Sequence, residues 1–340
     1  MKISARRLAR SLLIASSLGW LGCFSGGAGL PPRGSPSVPA VATIPVGKPP
    51  ILLALSPDGA TLYATADDGK LAVIDTASAI VTRTFEVPPY SNGIAAAPDG
   101  RRVAVTNLFG NTLSVLDAST PSMAQPITLL AQFQRGGYGR IAISPDGGTA
   151  YIVNKLNSVL VSVALDSGAL NHWQMDMRPI DIALLPSGDG ALVCGCKNFC
   201  VPGTCRMFDT RSGLFSSYIA VGGNPYRVAV DPSGSRAFVN GLADASLTVV
   251  DVASRQPTAT VRVPVEPTGL AVSSDGATVY VSSQTAGTVT AVDAASATVR
   301  ATTRVAADAR EIVVSPDGAR VYVSTGSGVV VIETRLLHGS

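Results

Sequence analysis

A short apolar run ending in a Pro-Asp-Gly-like turn recurs seven times along these 340 residues, and this recurrence limits the chain to a repeat architecture. The copies are ILLALSPDG at 51–59, IAAAPDG at 94–100, IAISPDG at 141–147, IALLPSG at 182–188, VAVDPSG at 228–234, LAVSSDG at 270–276 and IVVSPDG at 312–318. Counted from the first turn residue (Pro57, Pro98, Pro145, Pro186, Pro232, Ser274 and Pro316), the steps are 41, 47, 41, 46, 42 and 42 residues. Steps this even assign one structural unit of constant size to each copy.

Proline presets φ near −65° at the first corner of such a turn, Asp or Ser bonds locally to the backbone, and glycine takes the positive φ that closes a bulged hairpin. Each marker therefore joins two antiparallel strands. A second apolar strand follows (TLYAT, RVAVTN, AYIVN and their equivalents), then a third that ends in an acid, at Asp75, Asp117, Asp166, Asp209, Asp251, Asp293 and Glu333. A fourth strand such as TRTFEV or ATVRV leads into the next unit. Four short strands in about 40 residues is the arithmetic of a propeller blade. The first strand is apolar on consecutive residues, as in Ile141-Ala142-Ile143, which suits an inner strand packed on both faces. An open sandwich would need one polar face, and a parallel β-helix, the main architectural alternative, would need shorter rungs. The seventh unit supplies three strands and ends, whereas Val41 to Val46 has the sequence of a fourth strand with no unit before it. Pairing the two closes the ring and removes two sheet edges. The expected fold is all-β, a seven-bladed propeller closed by its N-terminal strand.

The units resemble the YVTN-type β-propeller repeat family, whose pattern runs Pro-Asp-Gly, a Tyr-Val-Thr-Asn-like strand and a strand ending in Asp. Val105-Thr106-Asn107, Ile152-Val153-Asn154, Phe238-Val239-Asn240 and Tyr280-Val281-Ser282 carry the resemblance, which spans 41–334. It implies the propeller fold. Its members resemble surface-layer propellers, lactonase-like propellers and propeller subunits of redox enzymes, so it selects no single chemistry.

Before the repeats, residues 1–22 have the layout of a signal peptide: a basic stretch with Lys2, Arg6, Arg7 and Arg10, an apolar core from Leu12 to Leu21, then Gly22-Cys23. The junction resembles the lipobox of bacterial lipoproteins, with Trp20 in place of the usual Leu, and implies lipidation of Cys23. Ordinary cleavage and an uncleaved apolar anchor are the alternatives. Residues 23–40 read as a Gly/Pro/Ser tether, 41–334 as the propeller and 335–340 as a tail. The net charge of +3 comes from the basic leader; without those four residues the chain holds 22 basic against 23 acidic residues. Such a body has no electrostatic footprint for nucleic acid.

Few side chains invite chemistry. Six of the seven strand-ending acids precede Thr, Ala or Ser, where Asx turns begin, and all seven read as structural rather than as a metal ring; the turn aspartates read the same way. His172 and His338 are the only histidines, one on a predicted outer strand and one near the end. No catalytic triad, metallopeptidase, P-loop or dinucleotide motif is present, and no cofactor, metal or catalytic residue is assigned. Cys194, Cys196, Cys200 and Cys205 share one loop between the second and third strands of the fourth unit. Two disulfides suit an exported chain, and nested pairing of Cys194 with Cys205 and Cys196 with Cys200 suits adjacent strands. A Cys₄ metal site and free thiols are the alternatives, although the spacing lacks CxxC knuckles.

Aligning the residue five before each turn marker gives Leu52, Gly93, Arg140, Asp181, Arg227, Gly269 and Glu311; one step earlier stand Ile51, Asn92, Gly139, Ile180, Tyr226, Thr268 and Arg310. Asn92, Arg140, Asp181, Tyr226, Arg227, Arg310 and Glu311 are therefore the candidate binding residues of a channel mouth. Arg140 and Arg227 are expected to flank Asp181, leaving cationic capacity for a protein or small acidic ligand, with Glu311 as an opposite pole across the axis. Inter-blade ion pairing is the alternative use. The functional expectation is a monomeric, lipid-anchored binding module of the bacterial cell envelope, periplasmic or surface-exposed; a lactonase-like hydrolase and a redox-accessory propeller are the rivals.

Overall fold

The computed structural model describes residues 42–337 apart from 119–121, 124–125, 130–136 and 198–199; the leader, the tether with Cys23, Val41 and His338 lie outside the described residues. Seven antiparallel sheets form a closed ring, the inner strand of each touching that of the next. Blade one spans 50–86, blade two 91–128, blade three 138–174, blade four 178–221, blade five 225–262, blade six 267–304, and blade seven 312–333 with 42–44. Within blades one to six the strands run outward from the channel in sequence order, and blade seven takes 42–44 as its outermost strand. Blade two departs slightly, because its outer strand is split into Ser122–Met123 and Ile127–Thr128.

Ala42–Ile44 pairs with Val329–Val331 as the outer strand of blade seven, so the expected closure is present. The expected tail begins differently: Thr334–Leu337 forms one turn of 3-10 helix that buries Leu337 against blades six and seven. An apolar Leu after the last strand finds the open end of that joint, which is why the chain does not leave the body at residue 335.

The core is distributed over seven separate apolar clusters, one in each joint between neighbouring blades. A four-stranded blade has two apolar faces and can cover neither by itself, so each sheet depends on both neighbours. The joint of blades three and four is filled by aromatic rings: Phe208 meets Trp173 at 4.8 Å and Phe215 at 4.9 Å between centroids.

The repeated turns also form a ring. A Cβ placed on Gly59 would lie 2.8 Å from Pro316 of blade seven, one on Gly188 would lie 3.1 Å from Pro145, and one on Gly234 would lie 3.2 Å from Pro186. Each turn glycine thus packs on the first turn residue or the aspartate of the preceding blade, and at φ near +70° it satisfies two demands at once. The turn aspartates work locally, as expected: Asp58 accepts from Ser56 Oγ and from the Ala60 amide. The strand-ending acids do the same, Asp75, Asp209, Asp251 and Asp293 each accepting an amide three residues on, at 2.7 Å. The hydroxyl of that same serine, which is the larger cause at Asp75 and Asp251, and its amide, the larger at Asp209 and Asp293, hold all four carboxyls below their ordinary pKa.

On the opposite face from these turns, the residue six after the turn glycine reaches the next blade in blades two, five and six. Thr106 donates to the Gly139 carbonyl at 2.6 Å, Asn240 to Pro267 at 2.7 Å, and Ser282 to Arg310. These three joints are therefore apolar through their depth and hydrogen-bonded near the channel.

The closure makes a sharp prediction. Ile44 is 1% exposed, so Ile44→Ala should cost about 2–5 kcal/mol. A chain started at residue 47 should melt far below one started at residue 39, which keeps the closing strand; equal melting temperatures by circular dichroism would refute closure.

Candidate functional site

The channel mouth lies on the face that carries the turns between second and third strands and the crossings from one blade to the next. In blades one to six the inner strand slips register near its start, one extra residue facing the second strand. Such a bulge re-aims the side chains beside it. It falls at the two aligned positions, with Asn92 and Tyr226 on the extra residue and Arg140, Asp181 and Arg227 next to it. Side chains from the second strand satisfy the displaced amides: Asn240 Oδ1 accepts from the Arg227 amide at 2.6 Å and Ser324 Oγ from the Glu311 amide at 2.9 Å.

Arg140, Arg227 and Glu311 converge. Glu311 Oε2 accepts from Arg140 Nη1 at 2.8 Å and from Arg227 Nη2 at 3.0 Å, with Arg227 Nε donating to Oε1 at 3.4 Å. The carboxylate shared by the two arginines is therefore Glu311 of blade seven, which corrects the expectation that they share Asp181 and that Glu311 stands apart as an opposite pole. A Glu side chain is long enough to reach into the group, whereas Asp181 is short and bonds backbone: Oδ1 takes the Ile182 amide and Oδ2 the Val228 amide of blade five, both at 2.9 Å. Arg227 also donates to the Tyr226 carbonyl at 2.9 Å and lies 4.3 Å over the Tyr226 ring.

Asp181, Arg227 and Glu311 are each under 10% exposed. Burial lifts the Asp181 carboxyl to about 7, with Arg140 pulling it back only in part. Burial also raises Glu311, opposed by Arg140. Burial works against the charge of Arg140, but Glu311 and then Asp181 outweigh it and hold the guanidinium above its ordinary value. Four charges from blades three, four, five and seven thus form a satisfied floor.

The remaining candidates surround this floor. Asn92 donates to the Tyr138 carbonyl of blade three at 3.3 Å. Arg310 pairs with Asp308 at 2.8 Å, and its Nε is buried without a partner. Sequence reasoning stopped one ring short: Lys155, in the turn after the second strand of blade three, and Arg178, at the start of blade four, are in no ion pair among the described residues. Burial and then Arg178 lower the Lys155 pKa. Extending the alignment to eight residues before each marker gives Pro49, Tyr90, Gly137, Arg178, Asn224, Glu266 and Asp308, and would have exposed this cationic side against an acidic one.

The cysteine loop projects from the same face. Cys194–Cys205 joins the second and third strands of blade four and Cys196–Cys200 closes the loop, so the nested pairing is the one formed. The Asn224 amide donates to the Cys200 carbonyl at 2.7 Å, which seats the loop on the crossing into blade five, two residues from Tyr226. The disulfides point to a non-cytoplasmic location. His172 is exposed on the outer strand of blade three, away from the mouth. Among the described residues no group of three His, Cys, Asp or Glu side chains could hold a metal, and no helix is long and apolar enough to cross a membrane.

Comparison with solved structures agrees on the architecture. The chain is similar to a structure of Kuenenia stuttgartiensis hydrazine synthase, with 18% identity and a TM-score of 0.75 over 91% of this chain and 100% of that one. It is also similar to the β-propeller domain of Myceliophteria thermophila Cps50 (Swd1), with 13% identity and a TM-score of 0.73 over 86% and 98%. No family model and no curated protein matches the sequence. At these identities the likeness is one of fold: this chain is a seven-bladed β-propeller.

Two outcomes test the floor. Glu311→Ala leaves two buried guanidiniums facing one another and should cost about 3–5 kcal/mol by urea unfolding. Asp181, raised from 3.8 to about 7, keeps more protons in the folded than in the unfolded state between those values. Its contribution makes stability fall as pH rises through that window and adds no further slope above it. Asp181→Asn should flatten the decline in urea midpoint, leaving the part due to raised Glu311 and Asp67; an unchanged slope would show that Asp181 titrates normally.

Proposed function

We propose that this chain is an exported, lipid-anchored propeller of the YVTN-repeat type that acts as an interaction module at the bacterial cell envelope, receiving an acidic partner on its mouth face. The observation that carries this reading is the composition of that face. Lys155 and Arg178 stand there in no described ion pair, while Phe109, Leu156, Val201 and Val265 are between 44% and 70% exposed in its turns and crossings. Exposed apolar side chains beside unneutralised cations are what an acidic protein surface with an apolar centre would bury. The Arg140–Glu311–Arg227 group then serves as a rigid floor, because its charges already satisfy one another.

Photo-crosslinking in intact cells separates this from a scaffold that uses no particular face. A crosslinker at Phe109, Leu156 or Val201 should give discrete adducts, and one at Ile80 or Leu214 on the other face should give none. Adducts from both faces alike would overturn the assignment. Cys23→Ser should move the protein from the membrane to the soluble fraction; a wild type that is already soluble would remove the anchor.

A further inference from the structure

The joint between blades seven and one is packed differently from the others. In six blades the residue five after the turn glycine is Val105, Ile152, Val193, Val239, Val281 or Val323, each buried against the preceding blade. Blade one has Ala64 there, and the residue across the ladder from it is Ala72. The branched side chain that fills the other joints is thus missing where the ring closes. A cleft of about 700 Å³ opens at this point, within the range of small-ligand sites. Ala64, Ala66, Ala72, Val46 and Val81 supply apolar lining.

One further feature distinguishes the cleft from a packing defect. Lys48, Asp68, Lys70 and Glu86 stand around it, Lys70 directly across the ladder from Glu86, and none of the four is in an ion pair among the described residues. Two unpaired charges of each sign at the rim of an apolar cleft suit an occupant that carries both signs itself.

We propose that this seam cleft binds a short zwitterionic peptide with small apolar side chains. Asp68 and Glu86 would take the ammonium, Lys48 and Lys70 the carboxylate, and the alanines the apolar side chain. Balanced charges at the rim disfavour a purely anionic ligand such as a nucleotide, and a wholly apolar one would leave all four charges unpaired.

Calorimetric titration of the full mature chain with free-ended trivaline, and with its N-acetylated, C-amidated form, tests this. The free peptide should bind saturably with a Kd below about 1 mM, and the capped form should bind more weakly. Ala64→Val inserts the residue five other blades carry, so it should melt at or above the wild-type temperature and weaken trivaline by about 10–200-fold. Should that variant fail to fold, Lys48→Gln combined with Lys70→Gln reads the same site by abolishing the preference for free over capped peptide. No saturable binding, equal binding to wild type and Ala64→Val, or a preference that survives the lysine changes would each overturn the proposal.

Discussion

Every blade of this propeller is stable only because its neighbours cover both of its faces, and the ring as a whole depends on the six strand residues that pair at 42–44 and 329–331. Without them blade seven would have three strands and an open edge, and blade one would lose part of its covering neighbour. The constraint is long-range, since it joins the start of the body to its end. Its entropic cost grows only slowly with the length of chain enclosed, so a ring of this size can be closed by one short strand plus the apolar joint it completes. Ile44 is the residue in which these two contributions meet: it lies in the ladder and in the cluster between blades seven and one.

Near the channel a second set of bonds ties the blades together. Glu311 links blade seven to blades three and five, which are not its neighbours, and Asp181 of blade four accepts from the Val228 amide of blade five. Small relative movements of the blades would break buried charge-assisted bonds, so the mouth is held rigid by the same group that closes it. Rigidity here has a functional consequence: a surface that does not reorganise on binding loses less entropy when a partner docks. Within the group, Glu311 is committed to guanidiniums and Asp181 to backbone amides.

Much of this was legible in the sequence because the repeat carries its own register. Seven turn markers align the strands, so the blade count, the closing strand and the local work of the strand-ending acids follow from spacing and turn chemistry alone. The cysteine loop was legible as a pair of disulfides for a similar reason, Cys194 and Cys205 falling directly opposite on adjacent strands. Alignment also brought Arg140, Asp181, Arg227 and Glu311 to one ring. It could not say which carboxylate the arginines would choose, because that depends on the bulge that re-aims the inner strand and on the extra methylene of Glu311. Lys155 and Arg178 escaped notice since they flank the strands instead of lying in them.

The seam shows what repetition hides. A propeller built from equivalent units has no intrinsic reason to pack one joint less tightly, and Ala64 opposite Ala72 breaks the pattern at the joint where stability matters most for closure. Removing branched side chains from a buried joint destabilises in proportion to the space left behind, so an opening at the seam works directly against the interaction that holds the ring together. An occupant that fills it would bind the closed ring and not the open one, and would stabilise closure by mass action. Ligand binding and ring stability would then be two readings of a single equilibrium, with the missing methyl groups of Ala64 and Ala72 setting the size of what fits.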